Sequence, residues 1–501
     1  MQSVYVARAD LNVSTDHALI FSRASLLNKQ QNTDQDKMAF SFDTTYKNLD
    51  PSLYSRVTPK RIADLEIVVR NDGLCADLGL DPAELNATVL AGQDLLEEPI
   101  AQAYAGHQYG SFTTLGDGRA MILGEHVHDG DRYDIQLKGS GRTPYSGRGD
   151  GNATVSSMLR EYLYSYAMQN LHIKTSRSLA VLETDESIRR RRTEPGAVLV
   201  RVMNSHIRYG TVQYVASRAA DELQRFTDYV IDRHYPQLTT ADRPYLDFFD
   251  AVMQSSIEMV VDWLRVGFVH GVMNTDNMSI DGETFDYGPC AFMNYYDEEA
   301  VFSSIDNHGR YAFGNQRPIL RWNLERLAEA LQPLCTRTAL TYDELEGKLD
   351  AFDDRFDARY YTMMRKKLGI TSDDEDALVD ELLEWLRKSN ADYTNTFLEL
   401  ETPGTFDYPA FATTEFEQLR DKLAAVGLDE ALMQEANPRY IPRNYLVEAA
   451  LDEYLETGSL SKFERLLTVL EAPYTSRDVG SQFQQPPPRE FDTEYTTYCN
   501  T

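Results

Sequence analysis

His270-Gly-Val-Met-Asn274-Thr-Asp276-Asn277, followed nine residues later by Asp286-Tyr287-Gly288, is the stretch on which the reading turns. Asp276, Asn277 and Asp286 in it offer side-chain oxygens. Mg²⁺ takes oxygen ligands, commonly one or two carboxylates together with phosphate oxygens and water. Asn277 and Asp286 supply such ligands, which leaves Asp276 as a base for an incoming hydroxyl. The competing reading is a loop whose Asn and Asp residues only cap turns. Context favours chemistry: residues 248–266 carry Phe249, Val252, Met253, Ile257, Val260, Val261 and Leu264 at helical spacing, so an amphipathic helix delivers the chain to His270.

The order His, Asn, Asp-x-Gly is also that of a protein-kinase catalytic centre, written H-R-D-x-x-x-x-N and then D-F-G. Aligning His270 with the kinase histidine puts Asn277 on the metal-binding asparagine and Asp286 on the D-F-G aspartate. The catalytic aspartate's position is then Val272, which accepts no proton. Either the chain is inactive, or it uses the same metal and nucleotide for a different transfer.

A kinase also needs a strand lysine on the phosphates, steered by a helical glutamate. In Tyr133-Asp-Ile-Gln-Leu-Lys138, alternation puts Asp134, Gln136 and Lys138 on one face and Ile135 and Leu137 on the other. Glu161, 23 residues on, lies in a predicted helix from Thr154 to Gln169, capped by Asn152 or Thr154. Taken alone, the pair reads more readily as a surface lysine and a surface glutamate. Leu115-Gly-Asp-Gly-Arg119 and Gly139 to Gly151 are glycine-dense loops, which let backbone N–H groups approach phosphate. Neither is a P-loop, and singly each reads as a tight turn. Arg201 and Arg208, seven apart near a strand end, either clamp phosphates or pair with carboxylates. His107 and His206 lack metal-ligand spacing and read as structural; the Arg189–Arg192 run reads as a solvated loop.

Outward from these segments the chain divides in two. Residues 39–215 hold the strand candidates Met121–Gly124, Tyr133–Lys138 and Ala197–Met203. Residues 216–480 are patterned as helices with acidic outer faces, and the tail 481–501, with Pro486-Pro487-Pro488 and Cys499, reads as irregular. Residues 1–38 are polar, lack a basic start followed by an apolar core, and read as an extension ahead of the patterned sequence at Met38. The expected fold class is α+β: a protein-kinase-like two-lobed fold with a strand-rich N-lobe, a larger helical C-lobe and nucleotide between them.

Of 501 residues, 79 are Asp or Glu and 49 are Lys or Arg, a formal charge of −30. Only 12 of the basic residues are lysine. An acidic, lysine-poor surface suits a protein kept hydrated in concentrated salt, and it argues against a nucleic-acid partner, for want of a basic face. Residues 101–210 depart from this, with 14 Lys and Arg against 11 Asp and Glu. A polyanion such as ATP belongs there. No run of 18 apolar residues exists, so no membrane span is expected. Four scattered cysteines, Cys75, Cys290, Cys335 and Cys499, make neither a metal site nor a disulfide framework, which points to a reducing, cytoplasmic compartment of a salt-adapted prokaryote. Cys499, third from the end, is either a solvated thiol or a redox group that swings onto a second cysteine.

Several segments in fixed order resemble the selenoprotein O (YdiU-like) family of kinase-fold protein AMPylators: Tyr104-Ala-Gly-His-Gln-Tyr-Gly110, Leu115–Arg119, Gln136-Leu-Lys-Gly-Ser-Gly141, Ser205-His-Ile-Arg208, His270–Asn277 and Asp286-Tyr-Gly-Pro289. The resemblance runs from about Phe42 to the C-terminus. It implies a nucleotide bound in reverse, so that the α-phosphate meets a Ser, Thr or Tyr hydroxyl of a protein and pyrophosphate leaves. The valine at 272 is then no defect. Carried over by motif, Asp276 is the base, and Asn277 and Asp286 hold Mg²⁺ or Mn²⁺. Gly116, Gly118, Arg119, Lys138, Asp150, Gly151, Arg201, Arg208 and Asp286 hold the nucleotide, with Glu161 orienting Lys138. The resemblance also implies a redox role for Cys499, with Cys290 as its expected partner. The alternatives are a kinase that transfers the γ-phosphate, and a non-catalytic nucleotide-binding pseudokinase with a redox role.

Overall fold

The computed structural model describes residues 39–95 and 97–498. The expected extension 1–38 and Cys499 lie outside these. Among the described residues, nine strands make one antiparallel sheet in the order β1 (Tyr54–Arg56), β3 (Ile100–Gln108), β5 (Ala120–His128), β6 (Asp131–Lys138), β9 (Thr193–Met203), β8 (Arg177–Arg189) and β2 (Leu65–Arg70). β4 (Ser111–Gly116) adds to β3, and β7 (Ala153–Thr154) to β9. The β5–β6 hairpin turns through Asp129 (φ 51°) and Gly130 (φ 94°), the double positive-φ geometry that matches the twist of paired strands.

The alternation expected in β6 is present. Ile135 and Leu137 join Val198, Val200 and Val202 of β9 in a small outer core under Leu74 and Leu90. Gln136 and Lys138 face the opposite way, toward the helix Val155–Asn170. Thr154 caps that helix by accepting from the Ser157 N–H. Leu159, Leu163 and Ala167 on it are buried in the main core, which continues into the helical lobe.

The long helix begins earlier than expected, spanning Pro244–Val266: Pro244 sits at a position where no N–H is needed, and Gly267 ends the helix in the left-handed conformation (φ 74°). The chain then enters β10 (Phe268–Val269), which pairs with β11 (Ala291–Phe292). The loop carrying His270, Asp276, Asn277 and Asp286 is therefore bracketed by two short paired strands. The tail is not wholly irregular. After the proline run, Arg489–Glu494 is helical, with Pro488 at its N-cap and Glu490 and Asp492 in the first turn, where acids favour a helix start. No helix among the described residues is long and apolar enough to cross a membrane.

Candidate active site

Four charges meet where β6, β9, the helix Val155–Asn170 and the loop after β10 converge. Lys138 Nζ donates to Glu161 Oε2 at 2.7 Å and also pairs with Asp286. Arg201 Nε donates to Glu161 Oε1 at 2.9 Å, and its Nη2 lies 3.3 Å from Asp286 Oδ1. Two cations and two carboxylates alternate, a neutral square with Lys138, Arg201 and Glu161 all buried. Neither Lys138 nor Glu161 is a surface residue. Burial works against the charge of Asp286, yet Lys138, Arg201 and Arg119 outweigh it and hold the carboxyl well below the usual range. Its backbone is left-handed (φ 64°), a conformation uncommon outside glycine.

Asp276 is set differently. Its Oδ2 accepts from Gln108 Nε2 at 2.7 Å, while Oδ1 is buried without a hydrogen-bond partner. Burial, only partly offset by Arg208, raises this carboxyl to about 6. Arg208 donates to the Asp276 carbonyl at 3.1 Å and lies over the rings of Tyr104 (4.1 Å) and Phe285 (5.0 Å). Asn277 Nδ2 donates to the Val272 carbonyl at 3.0 Å, which fixes the amide and leaves its oxygen as the free end. Val272 itself is apolar and buried. His270 Nε2–H donates to the Phe285 carbonyl at 3.0 Å and the ring stacks on Trp263, so it ties the two halves of the loop together.

The end of β3 is stitched to this loop. The His107 N–H donates to Thr275 Oγ1 at 2.8 Å, and the Tyr109 N–H donates to Asn274 Oδ1 at 3.0 Å. Gly106 is the residue that permits it, because a Cβ there would run into the Asp276 carboxylate. Gln108, Asn274 and Thr275 were not singled out from the sequence. The available signal was a strand with polar residues and a glycine at alternate positions, Gly106 and Gln108, both facing one way.

The two glycine loops interlock. Gly139 N–H donates to the Arg119 carbonyl at 2.7 Å, and Gly141 N–H to the Gly151 carbonyl at 3.1 Å. A Cβ on Gly116 would strike Tyr145, and one on Gly151 (φ 75°) would strike Gly141. Gly118 packs against the Tyr145 backbone. Arg119, Lys138 and Glu161 line one end of a cavity of about 610 Å³. Asp150 stands apart from the square: Arg190 holds it at 2.8 and 2.9 Å on the surface. The Arg189–Arg192 run is thus in part tied down, since Arg192 also pairs with Glu194 and Asp452. His206 bonds to Asp134 and His107 to Gln213, in keeping with structural roles. Cys290 is fully buried, with its thiol pushed up to about 12 by that burial.

Among the described residues no three His, Cys, Asp or Glu side chains converge into a metal site of their own. The donors present are the Asn277 oxygen and the Asp286 carboxylate. These hard oxygens suit Mg²⁺ or Mn²⁺ completed by phosphate oxygens and water.

A strand lysine paired with a helical glutamate, and an Asn and an Asp on a loop bracketed by short strands, are the parts that a protein-kinase catalytic centre uses to hold nucleotide and metal. The profile of the family described as protein adenylyltransferase SelO matches residues 36–423, and the chain belongs to that family. It is 44% identical over 479 residues to protein nucleotidyltransferase YdiU of Alcanivorax borkumensis, covering 92% of this chain and 99% of that one. The namesakes from Alkaliphilus metalliredigens (43% over 484 residues, 93% and 98% covered) and Halalkalibacterium halodurans (44% over 493 residues, 94% and 100% covered) are similar throughout. A solved rhoptry antigen kinase domain of Toxoplasma gondii aligns with 65% of this chain and 87% of its own at 12% identity and a TM-score of 0.25.

Proposed function

We propose that the protein transfers AMP from ATP to Ser, Thr or Tyr hydroxyls of other proteins and releases pyrophosphate. The observation that carries this reading is the pairing of an apolar Val272 with a buried Asp276 whose Oδ1 has no partner. The kinase base is missing at its usual place, and a different carboxylate is poised with one oxygen free.

The acceptor oxygen attacks the α-phosphorus, the bond from that phosphorus to the oxygen bridging the β-phosphate breaks, and the hydroxyl proton passes to Asp276 Oδ1. A carboxyl raised to about 6 by burial is a better proton acceptor than an ordinary aspartate. Lys138, Arg201 and Arg119 balance the terminal phosphates and the charge that develops on pyrophosphate. Glu161 holds Lys138 and Arg201 in place through three hydrogen bonds. Gly116, Gly118 and Gly151 keep the loops close enough for backbone contact with phosphate. Asp150, tied to Arg190, serves the loop rather than the phosphates. Asn277 and Asp286 would hold Mg²⁺ or Mn²⁺, which supplies charge neutralisation on the phosphates.

The same reading includes a regulatory disulfide between Cys290 and Cys499, formed by loss of two electrons and two protons to an oxidant. Thr497 Oγ1 donates to the carbonyl of Pro289 at 2.8 Å, so the tail is anchored one residue from Cys290.

Paired labelling under reducing conditions tests the transfer. Label on protein from ATP marked at the α-phosphate, and none from the γ-phosphate, is the expected result. Label from γ alone makes the protein a kinase and overturns the proposal. Asp276→Asn should keep ATP binding and lower transfer by about 10²-fold or more.

A further inference from the structure

Beside the Asp276 loop, His107 and Phe112 of the β3–β4 hairpin face Arg310, Trp322 and Arg326, which lie on the helix Gln316–Leu331 and the loop before it, and together they form a cationic and aromatic patch. The Arg310 guanidinium lies 4.7 Å from the Trp322 ring and 5.6 Å from Tyr311, and a Cβ on Gly110 would stand 3.8 Å from it. Arg326 lies 5.1 Å from the same Trp322 ring, His107 meets that ring edge-on at 5.1 Å, and Phe112 is 49% exposed at the rim.

The patch joins the site directly. Tyr311 donates to Asn274, two residues before Asp276, and stacks edge-on with Tyr109 at 5.3 Å. Asn274 also accepts from the Tyr109 N–H, whose neighbour Gln108 holds Asp276.

Charge pairing singles out Arg310. On the facing helix Gln316–Leu331, Arg317 pairs with Asp357 (2.6 Å), Arg321 with Glu325 (3.0 Å) and Arg326 with Glu329 (2.8 Å). Among the described residues no carboxylate pairs with the Arg310 guanidinium, whose polar contact is with the Tyr311 hydroxyl at 3.4 Å. Asp306, the nearest acid in its loop, is used by the backbone N–H groups of Arg310 and Tyr311. In a chain of −30, an arginine left with aromatic partners beside a catalytic loop is the place where an incoming carboxylate is welcome. An aromatic face under a guanidinium also orients its fork for bidentate contact.

We propose that this patch docks the acceptor protein and selects segments with Asp or Glu close to the acceptor hydroxyl. The carboxylate pairs with Arg310 and apolar neighbours rest on Phe112 and Trp322. This rests on the AMP-transfer reading for the identity of the acceptor, but the binding preference is independent of the chemistry.

The test is fluorescence anisotropy of synthetic peptides holding Ser, Thr and Tyr acceptors with Glu, Gln or Lys flanks. The full chain is saturated with Mg²⁺ and an ATP analogue bearing methylene between the α- and β-phosphorus. The Glu peptide should bind about threefold to tenfold tighter than the Gln peptide, the range of a partly exposed charge-assisted pair. Arg310→Glu should invert the order to favour Lys, with the thermal shift given by the analogue unchanged, which shows that the variant is folded and holds nucleotide. No binding by any peptide, equal binding, or a Glu preference that survives Arg310→Glu overturns the proposal. Label transfer from γ-phosphate would sink the AMP reading and leave the docking preference standing. Transfer from α with no acidic preference would sink the docking proposal alone.

Discussion

Glu161→Gln removes one charge from the neutral square and leaves Lys138 and Arg201 to share Asp286. Glu161 is 2% exposed and accepts from Lys138 Nζ at 2.7 Å and from Arg201 Nε at 2.9 Å. At an effective dielectric of about 20, each of those contacts is worth about 6 kcal/mol of gross Coulomb attraction. Most of that offsets the desolvation of the ions, so the measurable loss on breaking a buried pair is about 3–5 kcal/mol. The variant should therefore unfold in urea with a loss of that size. ATP with Mg²⁺ should recover part of it, because phosphate oxygens replace the missing negative charge beside Lys138 and Arg201. Transfer should fall as well, since Lys138 is no longer steered. The assay is urea unfolding followed by tryptophan fluorescence, with and without nucleotide. A loss below about 1 kcal/mol, or a loss equal with and without ATP, would refute the argument that the square is a buried charge network which also receives phosphate.

Other perturbations report on separate parts of the structure. Gly106→Ala places a methyl where the Asp276 carboxylate sits; a transfer assay should show loss of activity while ATP still raises the melting temperature. Arg443→Met strips Asp392 of its partner, 2.7 Å away with both side chains 1% exposed; the expected cost is about 3–5 kcal/mol by chemical unfolding. Adding Asp392→Asn to that variant should restore part of the loss, since no unpaired charge is then buried. Burial lowers His206 and His234 to about 4 each, against the opposing pull of Asp134 and Asp281. Both rings should stay neutral in NMR titrations from pH 8 down to about pH 5. Because the folded values lie below the unfolded one, the stability tied to their neutral form is complete above about 6.5 and is lost as pH falls toward 4. A His206 or His234 ring that titrates near 6.5 would show it to be solvated.

Local patterns made much of the fold legible. The alternation in Tyr133–Lys138 and the helical spacing after Thr154 named the strand and helix that carry Lys138 and Glu161, because side-chain direction follows from a period of 2 or 3.6. The Asn277 and Asp286 spacing around Val272 marked the loop. What local pattern could not carry was how those segments meet. The pair that read as two surface residues is buried, and Arg201 completes it from a strand 40 residues further on. Gln108 lies 168 residues from the carboxylate it holds, and the alternation of Gly106 and Gln108 gives a shared face without naming the partner. Asp150 sits among the glycines of Gly139–Gly151 in sequence but is paired with Arg190 on the surface.

The sequence by itself determined the elements, the order of the motifs and the family, since each depends on residues close together along the chain. Only the tertiary structure decided which charges are paired and buried, which oxygen of Asp276 stays free and that Arg310 rests on aromatic rings rather than on a carboxylate. Those are outcomes of burial and of distances of a few ångströms between remote segments, and burial sets both the cost of a charge and the strength of its partner.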